Sequence, residues 1–357
     1  MTQKNNQYFP IKGLNPSYQR NLLTFLKKIP KLFIYLTTKC NFDCHHCYLG
    51  ERLKQPQEFG LEDVMNIIRL FSNFKGEKDI TFLGGEPLLY SKIGDVLKYA
   101  KEMGYYVRVD TNAFLMIVDI LGNWLDYVDE VSISLDGASP EVHDSLRRKG
   151  SFNRVIKNIE KLKRKDKIVR VTTTVTNLNI HEILKLPFLL KNLGVDLLNL
   201  HLLSLNGNAR NHPELWVTPS RWMSLITEIW KSEFKIRFPL AYLPENLVED
   251  FKRNFKNLFA CEIKRISRLS FFPDAKVYCC SLLFDTDLNI GIYDFSKKTV
   301  LLNDNSEYFL AKTQHSCIAK DFTPQEEGFV NICRFKKIQN WERRYQSLIE
   351  KIEEMQR

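Results

Sequence analysis

Apolar positions between residues 32 and 235 follow two alternating rhythms. Short apolar or β-branched runs at Leu32–Leu36, Asp79–Leu83, Tyr105–Asp110, Glu130–Leu135, Ile168–Val175 and Leu197–Leu203 read as strands. Between them Leu61, Val64, Met65, Ile68 and Phe71 recur at helical spacing. Further helices are predicted over 91–103, 152–163 with Ser151 as cap, 180–192, and from Thr218 to 232. Strands alternating with helices in this way predict a parallel α/β sheet or barrel.

Around residue 240 the rhythm changes. The pattern predicts a helix over 245–258, strands near 268–272 and 276–280, and a turn-rich stretch over 281–335. Ile338, Trp341, Tyr345, Leu348, Ile349 and Ile352 then make a closing amphipathic helix. Residues 1–31 are polar, carry Pro10, Pro16 and Pro30, and read as a lead-in. The chain thus divides into a lead-in (1–31), an α/β unit (32–240) and a C-terminal part (241–357).

Composition narrows the class. Apolar residues at 44% and charged residues at 26% exclude a disordered chain. The net charge of +10 is spread without a single-sign block, which reads as a solvated basic surface. No basic–aromatic patch marks a nucleic-acid partner. No apolar run reaches the ~18 residues of a membrane span; the longest are interrupted by Asp119, Lys191 and Asp196. The first twenty residues lack a signal-type apolar stretch. The expectation is a soluble, cytoplasmic protein without a membrane partner.

The eight cysteines, at 40, 44, 47, 261, 279, 280, 317 and 333, bring in chemistry. In a chain without marks of secretion they argue for metal or redox work over disulfides. Three residues separate Cys40 from Cys44, and two separate Cys44 from Cys47. A structural zinc takes four protein ligands. No fourth cysteine is near, and His45 and His46 sit awkwardly inside the loop. An iron–sulfur cluster on three thiolates instead leaves one iron open, which points to chemistry rather than scaffolding.

In parallel α/β folds ligands gather at the carboxyl ends of strands. The cysteine loop follows the first strand, and Gly84-Gly85-Glu86-Pro87 the second. Thr111-Asn112-Ala113 follows the third, and Ser134-Leu135-Asp136-Gly137 ends the fourth. The double glycine lets a ligand approach the backbone. Glu86 offers an acceptor for an amine, Ser134 and Asp136 suit a ribose, and Arg147 can grip a carboxylate. Together they describe a pocket for S-adenosylmethionine on an iron–sulfur cluster, with Asn112 a further site candidate. His143, His201 and His315 read as structural, and Trp216, Trp222 and Trp230 as buried helix positions. Gly207 and Asn208 fit either a pocket lining or plain loop chemistry.

The cysteine triplet, the Gly-Gly-Glu-Pro turn and the Ser-Leu-Asp-Gly turn resemble the radical S-adenosylmethionine (radical SAM) superfamily across roughly residues 32–235. The resemblance implies a partial (β/α)6 TIM-like barrel and a [4Fe–4S] cluster on Cys40, Cys44 and Cys47. It implies Gly84, Gly85 and Glu86 at the methionine amine, and Ser134 and Asp136 at the ribose. It places Arg147, at the end of the stretch Glu141–Arg147, at the carboxylate. His46 occupies the position of the family's aromatic residue near adenine.

Cys261, a spacer, Ala275, four residues and Cys280 resemble the SPASM/Twitch extension, with alanine where glycine is usual. That resemblance implies a small cysteine-rich module with one auxiliary [4Fe–4S] cluster on Cys261, Cys280, Cys317 and Cys333. A zinc knot on the same four is the alternative. Cys279 is left over: a small buried neighbour, the ligand in place of Cys280 after a register slip, or a hydrogen-atom donor suited to a peptide epimerase.

The implied activity is reductive cleavage of S-adenosylmethionine to a 5′-deoxyadenosyl radical that abstracts a hydrogen. The expected substrate is a ribosomally synthesised peptide, to be crosslinked, thioether-bridged or epimerised. The lead-in is short for a leader-binding winged helix, so a separate leader-binding protein is an expected partner. So is a low-potential electron donor such as flavodoxin or ferredoxin. The alternatives are a small-molecule substrate (an amino sugar, nucleotide or amino acid) or a non-enzymatic zinc module.

Overall fold

The computed structural model describes residues 31–72, 78–115, 117–239, 241–249, 268–284, 286, 288–302 and 323–331. The lead-in to residue 30, the predicted closing helix, most of the predicted helix 245–258, Cys261, His315, Cys317 and Cys333 lie outside these residues.

Six strands form where the pattern predicts them: β1 Lys31–Thr37, β2 Asp79–Gly84, β3 Tyr106–Thr111, β4 Glu130–Ser134, β5 Ile168–Val175 and β6 Leu197–Leu202. They lie parallel and in chain order, with Leu32 opposite Ile80, Val109 opposite Val131 and Val171 opposite Leu198. The intervening helices are α1 Leu61–Ser72, α2 Ile93–Glu102, α3 Ile117–Leu121, α4 Pro140–Leu146, α5 Ser151–Lys163 and α6 Leu186–Asn192; α7 Pro219–Ile229 follows β6. A two-residue strand β7, Ile236–Arg237, then extends the sheet beside β6.

Alternation along each strand separates two faces. On β5 Val169, Val171, Thr173 and Val175 are fully buried, whereas Arg170, Thr172 and Thr174 are half-buried on the opposite, inner face. Val107, Val109, Val131 and Ile133 continue the buried outer row. The helices cover that row with residues such as Val96, Leu97, Val155 and Ile159, all in the same core.

Two predicted helix starts shift for local reasons. The stretch 180–192 resolves into a 3₁₀ turn at Ile183–Lys185 and then α6, with Pro187 in the first turn, where its missing N–H costs nothing. Ser151 is the first residue of α5 rather than its cap. The capping carboxylate is Asp144, which accepts from Gly150 N and Phe152 N and from Ser151 Oγ. Thr218 caps α7 as predicted, accepting from Arg221 N.

Beyond residue 240 the chain returns to the same sheet. Strand β8, Tyr242–Pro244, pairs with β13, Phe329–Asn331, in a separate two-stranded sheet. Strand β9, Arg268–Phe271, lies parallel along the remaining edge of β1, with Leu32 opposite Leu269. Strands β10 (Lys276–Tyr278), β11 (Gly291–Asp294) and β12 (Thr299–Leu302) follow antiparallel. The result is one eleven-stranded sheet. The stretch predicted as turn-rich thus holds β11, β12 and β13. Their four-residue and three-residue lengths are too short for a readable period. Their turn is built by Asp294, whose carboxylate accepts from Ser296 N and Lys297 N. Ala275 adopts φ +71, so the position usual for glycine keeps a left-handed turn despite its methyl group. Among the described residues no helix is long and apolar enough to cross a membrane.

Candidate active site

The loop after β1 and the turn after β2 are locked together by backbone. Gly85 N donates to Thr37 O and Glu86 N to Lys39 O, each at 2.8 Å. A Cβ on Gly84 would lie 2.1 Å from Thr37 O, and one on Gly85 2.2 Å from Lys39 O. The first demand for two glycines therefore comes from the chain's own carbonyls, which occupy the space that sequence reasoning reserved for a ligand. Glu86 is fully buried and extends the lock to β3. Its Oε1 accepts from Thr111 Oγ1 at 2.7 Å and its Oε2 from Asn112 N at 2.9 Å. Burial pushes its pKa up to about 7, against the pull of these donors.

Asn112 joins this turn to the cysteine loop. Its Nδ2 donates to Asn41 Oδ1 at 2.8 Å and reaches Cys40 Sγ at 3.9 Å. Cys40 Sγ also accepts from Phe42 N at 3.4 Å. The far side of the loop is held from the end of β6. Asn208 donates through N to Cys47 O at 2.9 Å and through Nδ2 to Cys44 O at 3.0 Å. Gly207 sits at φ +56 with its Cα so close that a Cβ would meet Cys47 O at 2.4 Å. From sequence alone Gly207 and Asn208 fit a pocket lining and a plain loop equally well. The only signal was their place after a strand end.

Burial pushes the Cys40 thiol up to about 11 and Cys44 to about 12, and raises Cys47 as well. Cys40 and Cys44 each feel the charge of Cys47, while Arg147 is a cation that lowers all three. Such a trio ionises readily only when a cationic group binds it. Among the described residues no three His, Cys, Asp or Glu side chains are grouped to hold one metal ion. Three cysteine thiols on one loop are the donor type that an iron–sulfur cluster takes, so the donor set fits the cluster.

Beside the loop stands a buried triad. Arg147 Nε donates to Asp136 Oδ2 at 2.5 Å, and His46 Nε2 lies 3.3 Å from the same oxygen. Asp136 Oδ1 accepts from Thr174 N at 2.9 Å, and Asp136 N donates to His143 Nδ1 at 3.0 Å. Burial would raise the Asp136 pKa, but Arg147, His46 and His143 outweigh it and hold the carboxyl below its ordinary value. Burial lowers His46 to about 4 and keeps its ring neutral, against the pull of Asp136. His143 is a fully buried structural residue, as predicted.

Cys40, Cys44, Cys47, Gly84, Gly85, Glu86, Asn112, Asp136, Arg147 and His46 thus meet at the carboxyl end of the barrel strands. Ser134 ends β4 at the same rim, half-buried. Elsewhere, Cys279 is fully buried in the main core after β10, and Cys280 is half-buried at the start of the turn Ser281–Leu283. His45 is exposed and stacks on His212 at 4.4 Å. His201 is exposed on β6 and bonds Asn199 Nδ2 at 2.8 Å. Trp222 is buried in α7; Trp216 and Trp230 are half-buried.

Residues 34–190 match the Radical SAM superfamily. A probable GTP 3′,8-cyclase of Saccharolobus islandicus is 28% identical over 281 residues, spanning 76% of this chain and 89% of that protein. An AdoMet-dependent heme synthase of Methanosarcina barkeri is 31% identical over 169 residues, 46% of this chain and 48% of its own. Among solved structures, native anSMEcpe with bound AdoMet superposes with a TM-score of 0.61 at 13% identity, over 91% of this chain and 99% of that one. Streptococcus suis SuiB bound to its precursor peptide SuiA gives 0.57 at 17% identity, over 80% and 69%. At such identities the structural likeness establishes the fold.

Proposed function

We propose that this radical SAM enzyme, whose radical SAM domain spans residues 34–190, abstracts a hydrogen atom from a ribosomally made peptide. When bound, the [4Fe–4S] cluster and S-adenosylmethionine supply a one-electron cleavage of the sulfonium and a 5′-deoxyadenosyl radical. Cys40, Cys44 and Cys47 hold the cluster. Asn112 and Asn208 fix the loop that carries them, through Cys40 Sγ and the Cys44 and Cys47 carbonyls. Glu86, already oriented by Thr111 and Asn112, receives the methionine amine on its remaining lone pairs. Arg147 meets the methionine carboxylate, and Asp136 holds Arg147 and His46 in place. Asp136 has its oxygens engaged by Arg147, His46 and Thr174, so we give the ribose to Ser134 and a positioning role to Asp136. His46, neutral and buried, would stand near adenine.

The observation that carries this reading is the convergence of the cysteine loop, Glu86 and the Asp136–Arg147 pair on one barrel rim. The peptide is supported by a fold shared with SuiB in its precursor-peptide complex and with anSMEcpe in its peptide complexes. In the C-terminal part, Cys280 with Cys261, Cys317 and Cys333 would hold an auxiliary cluster. Cys279, enclosed in the apolar core, suits packing better than hydrogen donation. A second reading, a nucleotide substrate, is favoured by the 28% identity that covers 89% of a probable GTP 3′,8-cyclase.

One experiment tests both. Anaerobic chain, reconstituted and reduced, is incubated with S-adenosylmethionine and either a candidate precursor peptide or GTP. The expected result is 5′-deoxyadenosine together with a peptide that has lost two hydrogens or gained solvent deuterium. Turnover of GTP with an unchanged peptide would move the assignment to the nucleotide. Zinc in place of iron, with no cofactor cleavage, would remove both.

A further inference from the structure

The inner face of the sheet carries charge and hydroxyls where the outer face carries valine and isoleucine. Toward the amino ends of the strands the charges are closed on one another. Arg108 Nε donates to Glu130 Oε1 at 2.9 Å, Arg170 Nη2 lies 2.7 Å from the same oxygen, and Arg108 Nη1 lies 3.6 Å from Asp79. These four side chains make an ion-paired floor.

One step toward the cysteine loop the pairing is incomplete. Strand register sets Asp110 beside Ser132 and Ser132 beside Arg170. An acceptor, a hydroxyl and a donor therefore stand on three adjacent strands, roughly 10 Å from first to last at the backbone. Asp110 bonds Ser132 and faces the charges of Arg108 and Arg170, but its Oδ1 and Arg170 Nε have no hydrogen-bond partner, although both atoms are buried. Buried polar groups are almost always satisfied, so one unused acceptor and one unused donor at the same level call for an explanation. The two side chains are otherwise half-buried, and so are Ser134, Thr172 and Asn199 one level further toward the rim, so the lumen above the floor is not packed shut.

This level also adjoins the cofactor site. Tyr35 and Tyr48 share a hydrogen bond between their hydroxyls at 3.1 Å, and both feel the charge of Asp110. Tyr48 directly follows Cys47. Asp110 also stands two residues before Asn112, whose Nδ2 bonds Asn41 in the cysteine loop, so a substrate group held at this level would lie on the loop's side of the floor.

We propose that Asp110 and Arg170 are a substrate-reading pair that takes the same-side donor–acceptor edge of an amide, with its N–H on Asp110 and its C=O on Arg170. A trans backbone amide points its N–H and C=O in opposite directions and cannot serve both. A primary carboxamide (an Asn or Gln side chain) or a ring lactam (as in guanine) presents both on one edge. Arg170 is pre-set for this, because Glu130 holds its Nη2. The inference deepens the proposed function and rests on its reading of the barrel rim as the cofactor site.

Equilibrium binding by the full chain tests the pair without requiring turnover. Wild type, Asp110→Asn, Arg170→Lys and the exposed control Lys165→Gln are titrated separately with the precursor peptide and with GTP. The expected result is binding of one probe, weakened about tenfold to hundredfold by either lumen variant and unchanged in the control. Substrate-side changes on wild type give the second arm, which does not depend on variants folding. Replacing the one responsible Asn or Gln of the peptide with Leu, or GTP with N1-methyl-GTP, should cost as much as Asp110→Asn and add nothing in that variant. The two probes separate the carboxamide from the lactam. Unaltered binding in both variants, indifference to every carboxamide and lactam change, or no binding of either probe to wild type would overturn the pair. Failure of the radical reading is seen separately, as absence of 5′-deoxyadenosine from reduced wild type.

Discussion

Gly84 and Gly85 show how little freedom the site has at the level of single residues. Added methyl groups would lie 2.1 and 2.2 Å from backbone carbonyls that anchor the cysteine loop, and backbone cannot step aside as a long side chain can. Gly85→Ala is expected to lower the stability of the metal-free chain by about 1–3 kcal/mol, read by chemical denaturation. A midpoint equal to wild type would show that the two turns are not locked. Glu86 makes a prediction about pH. Its folded pKa of about 7 stands above the unfolded value near 4.5, so protonated Glu86 favours the fold. Its stabilising contribution is complete below about pH 4.5 and is lost as pH rises through 7, on the order of 3 kcal/mol. Glu86→Gln should flatten the fall in stability between pH 5 and 7.5; an identical slope in variant and wild type would contradict the burial argument. The cysteine triplet and Glu86 were legible in the sequence because their spacing is local. Asn208 was not, because its partners Cys44 and Cys47 are more than 160 residues away.

At the scale of elements, turns and caps decide more than propensity. The predicted cap of α5 was Ser151, a sound reading of neighbours in sequence. The observed cap is Asp144, delivered by the end of α4, which no pattern within the helix contains. Asp144→Ala is expected to cost about 1 kcal/mol, and Ser151→Ala less, in thermal unfolding of the pair. The reverse order would restore Ser151 as the principal cap. Ala275 offers a gain. At φ +71 its methyl group is strained, and Ala275→Gly should stabilise the β9–β10 turn by roughly 1 kcal/mol. A destabilised Ala275→Gly variant would mean that the backbone there is less constrained than its angle indicates.

For the whole molecule the decisive contact is β9 on β1. It turns what reads as a separate C-terminal part into a continuation of the barrel sheet, with Phe271 against Phe71 and Phe272 stacked on Tyr35 at 4.0 Å. Arg52, just after the cysteine loop, clamps the join from above, donating to Phe284 O at 2.6 Å and lying over Phe272. A chain ended at residue 240 would leave one edge of β1 unpaired and apolar beside the cysteine loop. It is expected to aggregate and to lose the cooperative unfolding of the full chain. A soluble, monodisperse fragment with a single sharp transition would show that the barrel does not depend on β9.

Within 32–235 the order of strands and helices can be read from the chain alone, because apolar period is a property of neighbouring residues. So can the cysteine loop and its place after a strand, because three thiolates within eight residues admit few other uses. Which residues stand beside that loop emerges from folding alone: Asn208 on its carbonyls, Arg147 held by Asp136, and Asp110 level with Arg170 across Ser132. Those relations depend on strand register and on helix ends that meet across long stretches of chain. A shift of one residue in any strand would turn the inner row outward, and nothing in the local pattern records it.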